Sequence, residues 1–363
     1  MRKLGRGVLW SGWAMVAACG VGSVEWCAPA GRADPPRSLV ADASPWSSPE
    51  GCEVALRTRR TRARRPGHAA IATWNVRWFP DGVPFGSRER ARPTNVDWLA
   101  CAIAWLSVDV VALQEIQAHP AAVDAMARLV GGLDARTRGR WRVGLDECSG
   151  PSFQHVALLW NTSRVRAGEL RTLGALNPRG SPCASALRPG FGGRMRFAGG
   201  LDLHVVSVHL KSGDQPSARA LRRRSQEALP IAFAALQAIE REQDMVIAGD
   251  FNTHGCGACT PAETPEQEIA TIDAADASFS PGLRRVPVEP GCSYYARGRA
   301  YALDHFVTTR AMRELPAGAR ATAEGVCAEA SCATIPRRDP ARALRELSDH
   351  CPVVLEIPDR DRD

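Results

Sequence analysis

The sequence predicts an α/β fold in which two packed sheets lie between helices. Three observations predict it. Short apolar runs recur along residues 68–358, helical segments with one apolar face interrupt them, and neither an internal repeat nor a break in composition divides the stretch. The chain has 363 residues, 45% of them hydrophobic and 23% charged. That is enough apolar material for a sizeable core and too little net charge for disorder.

Taken in order, Ala69 to Asn75 reads as a strand. Asn95 to Leu106 reads as a helix, because Thr94 or Asn95 can cap it and Val96, Leu99, Ile103 and Leu106 share a face. Val108 to Glu115 is a buried strand ending in polar residues, Val156 to Trp160 is another, and Leu201 to His209 ends in histidine. Ala218 to about Arg241 reads as helical, with a kink expected at Pro230. Met245 to Asp250, Ala302 to Val307 and Pro352 to Ile357 complete the strands.

The segment before this domain has a different texture. Arg2, Lys3 and Arg6 precede the apolar stretch Val8 to Val16, the pattern of an export signal and too short to span a bilayer. Val16-Ala17-Ala18-Cys19 resembles a bacterial lipobox, so residues 1–18 are expected to be a signal peptide and Cys19 a lipidated first residue. A plain signal cleaved after Ala30 or Ala33 is the other reading. Either way the protein is expected to be exported, periplasmic or at the cell surface, and in the lipobox reading the N-terminal lipid holds it to the membrane. Residues 19–67 are rich in Pro, Ser and Arg and read as a flexible tether, and 359–363 as a charged tail. The six arginines between Arg57 and Arg65 could face anionic lipid or nucleic acid, or simply be solvated.

Charge narrows the classes of partner. Residues before Gly67 carry 11 basic and 5 acidic side chains, which accounts for +6 of the formal net charge of +7. The folded part is therefore nearly neutral, and a uniformly basic nucleic-acid coat is excluded. Twelve cysteines suit an exported chain with disulfides. Cys256 with Cys259, and Cys327 with Cys332, could close small loops. His254, Cys256 and Cys259 could instead suggest zinc, although a second ligand pair is missing. Cys101 reads as a small buried hydrophobe.

The chemistry-bearing residues stand at the carboxyl ends of apolar runs: Asn75, Glu115, His209, Asp250 with Asn252, Asp304, and Asp349 with His350. Strand ends are where α/β folds gather active sites. One carboxylate there would be a loop cap, but so many acids, amides and histidines together are not explained as caps. Glu115, Asp250 and Asp349 are hard oxygen ligands suited to Mg²⁺ or Mn²⁺, and such a cation with few protein ligands keeps waters and binds phosphate. Phosphoester hydrolysis by water is the reaction that set would serve. His350 could act on the water or orient phosphate, with Asp304 fixing its tautomer. His209 could donate to a developing pentacovalent phosphate, and Asn75 and Asn252 could serve phosphate or nucleophile.

Six motifs in order, Thr73–Phe79 (TWNVRWF), Leu113–Glu115 (LQE), Val206–Ser212 (VSVHLKS), Gly249–Thr253 (GDFNT), Leu303–Phe306 (LDHF) and Ser348–His350 (SDH), make the chain similar to the endonuclease/exonuclease/phosphatase superfamily. The resemblance implies a four-layer α/β sandwich of the deoxyribonuclease I type over 68–358, and divalent-metal-dependent phosphoester hydrolysis with Mg²⁺, Mn²⁺ or Ca²⁺. It implies Glu115 as metal-binding glutamate, with Asn75 and Asp349 close to the metal. It also implies Asp250 as the aspartate that activates or orients water, Asn252 as its phosphate-binding neighbour, and Asp304 as partner of His350. His209 matches the second histidine of the deoxyribonuclease and sphingomyelinase branches, where a carboxylate supports it in deoxyribonuclease-like members. Arg77 resembles an arginine that contacts substrate phosphate.

Bland roles compete at several positions. His155 and His305 lack a motif and read as structural, and Arg222, Arg223 and Arg224 as a solvated helix face. Tyr294 and Tyr295 could stack on a base or sugar, or pack in the core. The leading expectation is an exported, monomeric phosphodiesterase acting on nucleic acid as a nonspecific nuclease. A sphingomyelinase-like phospholipid phosphodiesterase or a phosphatase is the alternative. A lipid-anchored binding protein without turnover is the reading from another class.

Overall fold

The computed structural model describes residues 44–148, 154–179, 183, 187–278 and 282–362. The expected signal peptide, Cys19 and most of the expected tether lie outside the described residues.

From the amino end come α1 (Pro49–Arg57), β1 (His68–Phe79), α2 (Val96–Leu106), β2 (Val110–Ile116), α3 (Pro120–Arg136), β3 (Trp141–Leu145) and β4 (His155–Asn161). Next are β5 (Val165–Ala167), β6 (Arg171–Leu173), β7 (Gly190–Phe197), β8 (Asp202–His209), α4 (Pro216–Glu227), α5 (Leu229–Gln237), β9 (Met245–Asp250) and α6 (Pro265–Ser278). The last third holds β10 (Leu283–Val286), β11 (Val288–Glu289), β12 (Tyr294–Ala296), β13 (Arg299–Tyr301), β14 (Asp304–Thr309), β15 (Ala321–Ala323), α7 (Val326–Glu329), α8 (Arg342–Glu346) and β16 (Val353–Pro358).

One seven-stranded sheet runs β11-β15-β16-β1-β2-β4-β3. The other runs β10-β14-β9-β8-β7-β5, with β6 also on β7, and β12-β13 form a separate hairpin. The expected pair of mixed sheets with flanking helices is therefore present. Side-chain alternation explains the layering. Val246 and Ala248 of β9, like Leu203 and Val205 of β8, join the cluster that includes β1 and β2. Met245 and Ile247, with Val206 and Val208, face the other way onto Leu229, Phe233 and Leu236 of α5. Strands covered on both faces read as continuous apolar runs, which is how they looked in the sequence.

Asn95 caps α2 by accepting from the Trp98 N–H, as expected. The helix expected from 218 to 241 is two helices that meet at Ala228. Pro230, which lacks an N–H to continue the ladder, stands in the first turn of the second.

The tether boundary at 67 is corrected. Trp46 is buried against Trp74 and Trp105, α1 is capped by Ser48, and Cys52 is bonded to Cys101 of α2. The arginine run is also partly paired. Arg62 meets Glu356 at 2.6 Å and Arg64 donates to Asp109 at 2.9 Å. Apolar anchors and buried carboxylates downstream hold this segment, and neither is visible in its own composition. At the other end Asp359 accepts from the Gly199 and Leu201 N–H groups, so the charged tail begins later than expected.

Cysteine pairing differs from the short-range expectation in part. Cys256–Cys259 is bonded as expected, which removes both thiols from a zinc site. Cys327 pairs with Cys351 and Cys332 with Cys292, not with each other. Cys148–Cys183 is the fifth bond among the described residues. Cys101 is buried, as expected, but as half of a disulfide.

Candidate active site

Sheet register places most of the site before any side chain is considered. In β8 and β9, which run parallel, His209 stands opposite Asp250. In β9 and β14, which run antiparallel, Asp250 stands opposite Asp304. The second sheet thus delivers His209, Asp250 and Asp304 in one row across three strands. In the first sheet, Asn75 stands opposite Gln114, so Glu115 follows at the next position.

Buried polar bridges fix the two sheets against each other just behind this row. Gln114 Nε2 donates to Ser207 Oγ at 3.2 Å, Ser207 Oγ donates to the Leu113 carbonyl at 3.2 Å, and Gln114 Oε1 accepts from Thr73 Oγ1 at 3.3 Å. All three residues are fully buried. Such groups are tolerated only when satisfied, so the bridges favour one relative placement of the sheets.

Asn75 joins the halves of the site. Its Nδ2 donates to Glu115 Oε1 at 3.1 Å and to Asp250 Oδ2 at 3.0 Å. Glu115 Oε2 accepts from the Trp78 N–H at 2.9 Å. Asp250 Oδ1 accepts from the Asn252 N–H at 2.8 Å. The Ser348-Asp349-His350 turn is tied to the same strand, since Ser348 Oγ donates to the Asn75 carbonyl at 2.6 Å and Trp74 Nε1 to the His350 carbonyl at 2.9 Å. Backbone conformation marks the same positions: Arg77, Trp78, Glu115 and Asn252 all have positive φ, from 44° to 64°. Non-glycine residues in that region are uncommon and concentrate at functional sites.

Two histidines face Asp250 from opposite electrostatic conditions. His209 Nε2 lies 3.5 Å from Asp250 Oδ2 and 3.8 Å from Glu115 Oε1. His350 Nε2 lies 3.8 Å from Asp250 Oδ2, while its Nδ1 donates to Asp304 Oδ2 at 2.8 Å. Burial would lower His350, but Asp304, by charge and hydrogen bond, and then Asp250 and Asp349 lift it to about 10. His209 is held well below the usual histidine range by burial first, then by the positive charge of Arg188 and His350. Burial lifts Asp250 to about 7 against the pull of His350. One imidazole is therefore charged, the other neutral, with a proton-accepting carboxylate between them.

Glu115 and Asp349 present the chemistry of a hard-cation site. Burial raises Glu115, and the Asp349 charge adds to that after the opposing Asn75 bond. Among the described residues no arginine or lysine lies within ion-pair distance of either carboxylate. A divalent cation would compensate both, and oxygen donors of this kind suit Mg²⁺ or Mn²⁺. The ligand atoms of Asp250, Asp304 and His350 also lie within 4.8 Å of one another. There the Asp304–His350 bond already engages both partners.

The groups line a cleft of about 280 Å³ together with Tyr294, Ser212 and His254. Tyr294 lies against His350, with ring centroids 4.5 Å apart. Tyr295 is buried in the core.

Some expectations are corrected. Arg77 lines the cleft, but its guanidinium donates to the Leu344 and Arg345 carbonyls at 2.9 and 2.8 Å. It clamps the segment before Ser348 through Nη1 and Nη2, while its buried Nε has no hydrogen-bond partner among the described residues. The Asn252 side chain is likewise engaged, donating to the Leu210 carbonyl at 3.0 Å and lying 3.0 Å from His254 Nε2. Arg222 is not on a solvated face. It is fully buried, with Nε 2.7 Å and Nη2 2.8 Å from the Glu268 carboxylate. Among the described residues no carboxylate meets His209 Nδ1, which is buried without a hydrogen-bond partner there. His155 and His305 are structural, as expected, against Asp146 and Thr253 respectively.

Arg188 was not visible in the sequence. It is buried and donates to the His209 and Leu210 carbonyls at 3.1 and 2.7 Å, adding positive charge behind His209. No motif surrounds it, and the abundance of arginine concealed it. His254 was noticed only for its cysteine neighbours.

Residues 72–350 match the model of the Endonuclease/Exonuclease/phosphatase family. Among solved structures, the chain is similar to an endonuclease/exonuclease/phosphatase from Bacteroides vulgatus, with TM-score 0.53 and 15% identity over 80% of this chain and 98% of that one. It is similar to a mannosyl-6-phosphatase from Bacteroides thetaiotaomicron, with TM-score 0.51 and 13% identity over 80% and 99%. A third, from Beutenbergia cavernae, has TM-score 0.51 and 19% identity over 81% and 72%. At these identities the likeness establishes the fold. No curated protein sequence matches the chain.

Proposed function

The chain belongs to the endonuclease/exonuclease/phosphatase family, whose members hydrolyse phosphoester bonds, and from that premise we propose that it is an exported, divalent-metal-dependent phosphodiesterase acting on nucleic acid. The observation that carries the reading is the Asp250 carboxylate held between a neutral His209 and a charged His350.

In this reading Asp250, lifted to about 7, accepts a proton from the attacking water as its oxygen bonds to phosphorus. The Asn75 amide and the Asn252 N–H hold both Asp250 oxygens in place. His350, kept cationic by Asp304, donates through Nε2 to a phosphoryl oxygen as charge builds there. His209 donates through Nε2 to a second oxygen. A divalent cation held by Glu115, with Asp349 and Asn75 beside it, would supply positive charge to the phosphate and to the departing oxygen. The ester P–O bond breaks on the side opposite the water.

Export is supported by the five disulfides among the described residues, which persist in oxidising compartments. Lipid attachment at Cys19 is part of the proposal, with retention in the membrane fraction as its readout. Loss of retention on Cys19→Ser supports it, and unchanged partitioning rejects it. Against a bilayer substrate stands the scarcity of exposed large apolar side chains: among the described residues these are Phe85, Val123, Ile231 and Ile239.

The test is purified protein with Mg²⁺, Mn²⁺ or Ca²⁺ against plasmid DNA, RNA, sphingomyelin and an inositol phosphate. Cleavage of nucleic acid, lost with EDTA and in His350→Ala, supports the proposal. Lipid or monoester turnover with intact nucleic acid overturns the substrate. Silence on all four substrates overturns the enzyme.

A further inference from the structure

Beside the catalytic cleft lies a second, larger depression of about 680 Å³, which shares Arg77, Gly82, Val83, Glu89, Tyr294 and Asp349 with it. Its lining is rich in arginine, although residues 67–363, which supply that lining, carry a formal net charge of only +1. Arg345 is committed to Asp339 at 2.7 Å, and Arg77 to backbone carbonyls. Arg90, Arg92, Arg297 and Arg337 are exposed, and among the described residues no carboxylate pairs with any of them. Of their side-chain nitrogens, only Arg337 Nε is engaged among the described residues, on the Arg297 carbonyl at 2.8 Å.

Both segments that present these arginines are fixed in place. The Arg92 N–H donates to the Asp81 carbonyl at 3.1 Å and the Thr94 N–H to the Pro80 carbonyl at 2.7 Å. On the other side Cys292–Cys332 staples the hairpin β12-β13 to the segment after α7. The Ile335 N–H donates to the Gly298 carbonyl at 2.9 Å. Gly298 has φ +81°, and a Cβ there would lie 2.4 Å from the Ile335 carbonyl oxygen, so glycine is required for this approach. Fixed backbone on both sides limits the positions that the four guanidinium groups can reach.

We propose that Arg90, Arg92, Arg297 and Arg337 form a phosphate-binding trough, continuous with the catalytic cleft, that holds the phosphates of a polynucleotide strand flanking the scissile bond. The proposal rests on the phosphodiesterase reading and names the part of the substrate that the catalytic cleft leaves outside. At about 280 Å³ that cleft accommodates little beyond one phosphate and its neighbours. Each unpaired guanidinium offers a fork of donors to phosphate oxygens. Tyr294, at the junction of the two depressions, supplies a ring on which a base can stack.

The experiment compares the full-length protein with the Arg90→Ala/Arg92→Ala/Arg297→Ala/Arg337→Ala variant on two diesters. One is a single-stranded oligonucleotide; the other is bis(p-nitrophenyl) phosphate, which has no flanking phosphate. The expected result is a loss of about 100-fold in kcat/KM on the oligonucleotide, with the small diester hydrolysed unchanged. Oligonucleotide anisotropy in metal-free buffer should show a salt dependence shallower by about 3 in log Kd against log salt, from four lost contacts on a single strand. Equal losses on both diesters, or none on the oligonucleotide, overturn the trough. So does retained oligonucleotide binding with lost binding to phosphatidylglycerol vesicles, which would make the arginines a membrane surface. If the unaltered protein cleaves neither diester, the phosphodiesterase reading fails, while the anisotropy still decides the trough.

Discussion

His350 Nδ1 lies 2.8 Å from Asp304 Oδ2, across 46 positions of sequence. The contact leaves Nε2 as the ring atom that faces Asp250, and it is a main reason the imidazole keeps its proton. Removing the ring removes a cationic donor, whereas removing the Asp304 charge only weakens it. His350→Ala should lower kcat by about 10³-fold and Asp304→Asn by about 10²-fold. Steady-state kinetics on a cleaved diester, with circular dichroism to confirm folding, check both. Equal activity in Asp304→Asn and the unaltered protein would mean that the contact is structural.

Glu115 is oriented by Asn75 and the Trp78 N–H and has no lysine or arginine within ion-pair reach among the described residues. Chelation with EDTA should abolish hydrolysis, and added Mg²⁺ or Mn²⁺ should restore it. Glu115→Gln keeps the shape but halves the local negative charge, so the Mg²⁺ concentration giving half-maximal rate should rise at least about tenfold. Activity that survives dialysis against EDTA would remove the cation from the reaction.

Most of this site was legible because strand ends and their polar punctuation are local features. Asn75, Glu115, His209 and Asp250 lie in or close apolar runs, whereas Asp304 opens β14 and His350 precedes β16; antiparallel pairing of β14 with β9 and of β16 with β1 returns both residues to the same edge. What was not legible depends on partners distant in sequence. Arg222 looked like one of three exposed arginines until Glu268, 46 positions on, proved to enclose it. Arg77 matched a motif, yet its Nη1 and Nη2 groups are turned to the carbonyls of Leu344 and Arg345. Cys327 and Cys332 are near neighbours in sequence and bond elsewhere, because α7 directs Cys327 toward Cys351 while the hairpin carries Cys292 to Cys332. The segment 44–67 looked like linker because its anchors, Trp74, Trp105, Cys101, Asp109 and Glu356, belong to other elements.

Arg222 and Glu268 form a buried pair that also holds the loops leaving both catalytic strands. Arg222 donates to the Lys211, Gly213 and Gly255 carbonyls, and Glu268 accepts from the Gly255 N–H. Arg222→Met leaves the buried Glu268 carboxylate with only Arg219 as a charged partner, 3.5 Å away, and should destabilise the protein by about 3 kcal/mol. Arg222→Met combined with Glu268→Leu should recover part of that loss, since no unpaired charge remains. Urea denaturation of the two variants measures the difference; a double variant no more stable than the single one contradicts the assignment.

Glu324 predicts a pH dependence of stability away from the site. Burial raises its carboxyl to about 7 from 4.5, with Arg62 pulling it down and Glu356 pushing it up. Arg62, Arg64, Arg65, Arg320 and Glu356 line the same depression. Between pH 4.5 and 7 the folded state keeps a proton that the unfolded chain has released. The stabilisation is therefore complete below pH 4.5 and declines as pH rises through 7. Glu324→Gln removes the penalty, and because the group is only partly buried its gain at pH 8 should be about 2 kcal/mol. Thermal melts from pH 4 to pH 8 should show the variant drawing ahead progressively from about pH 4.5 to 7 and keeping its lead at pH 8.

The bond between Cys52 and Cys101 closes a loop of 49 residues and ties α1 to α2. Without it, α1 keeps its Ser48 cap and the burial of Trp46 but loses its covalent hold on the sheet-covering helix. The chain-entropy model assigns such a loop about 4 kcal/mol. The paired Cys52→Ser/Cys101→Ser variant should therefore melt roughly 8 °C lower. Its catalytic rate below the transition should be unchanged, since the bond lies among buried helix residues and lines neither the cleft nor the trough. Limited proteolysis should then cut the variant first between residues 44 and 67. Cleavage there at the same rate in both proteins would show that apolar packing alone secures the segment.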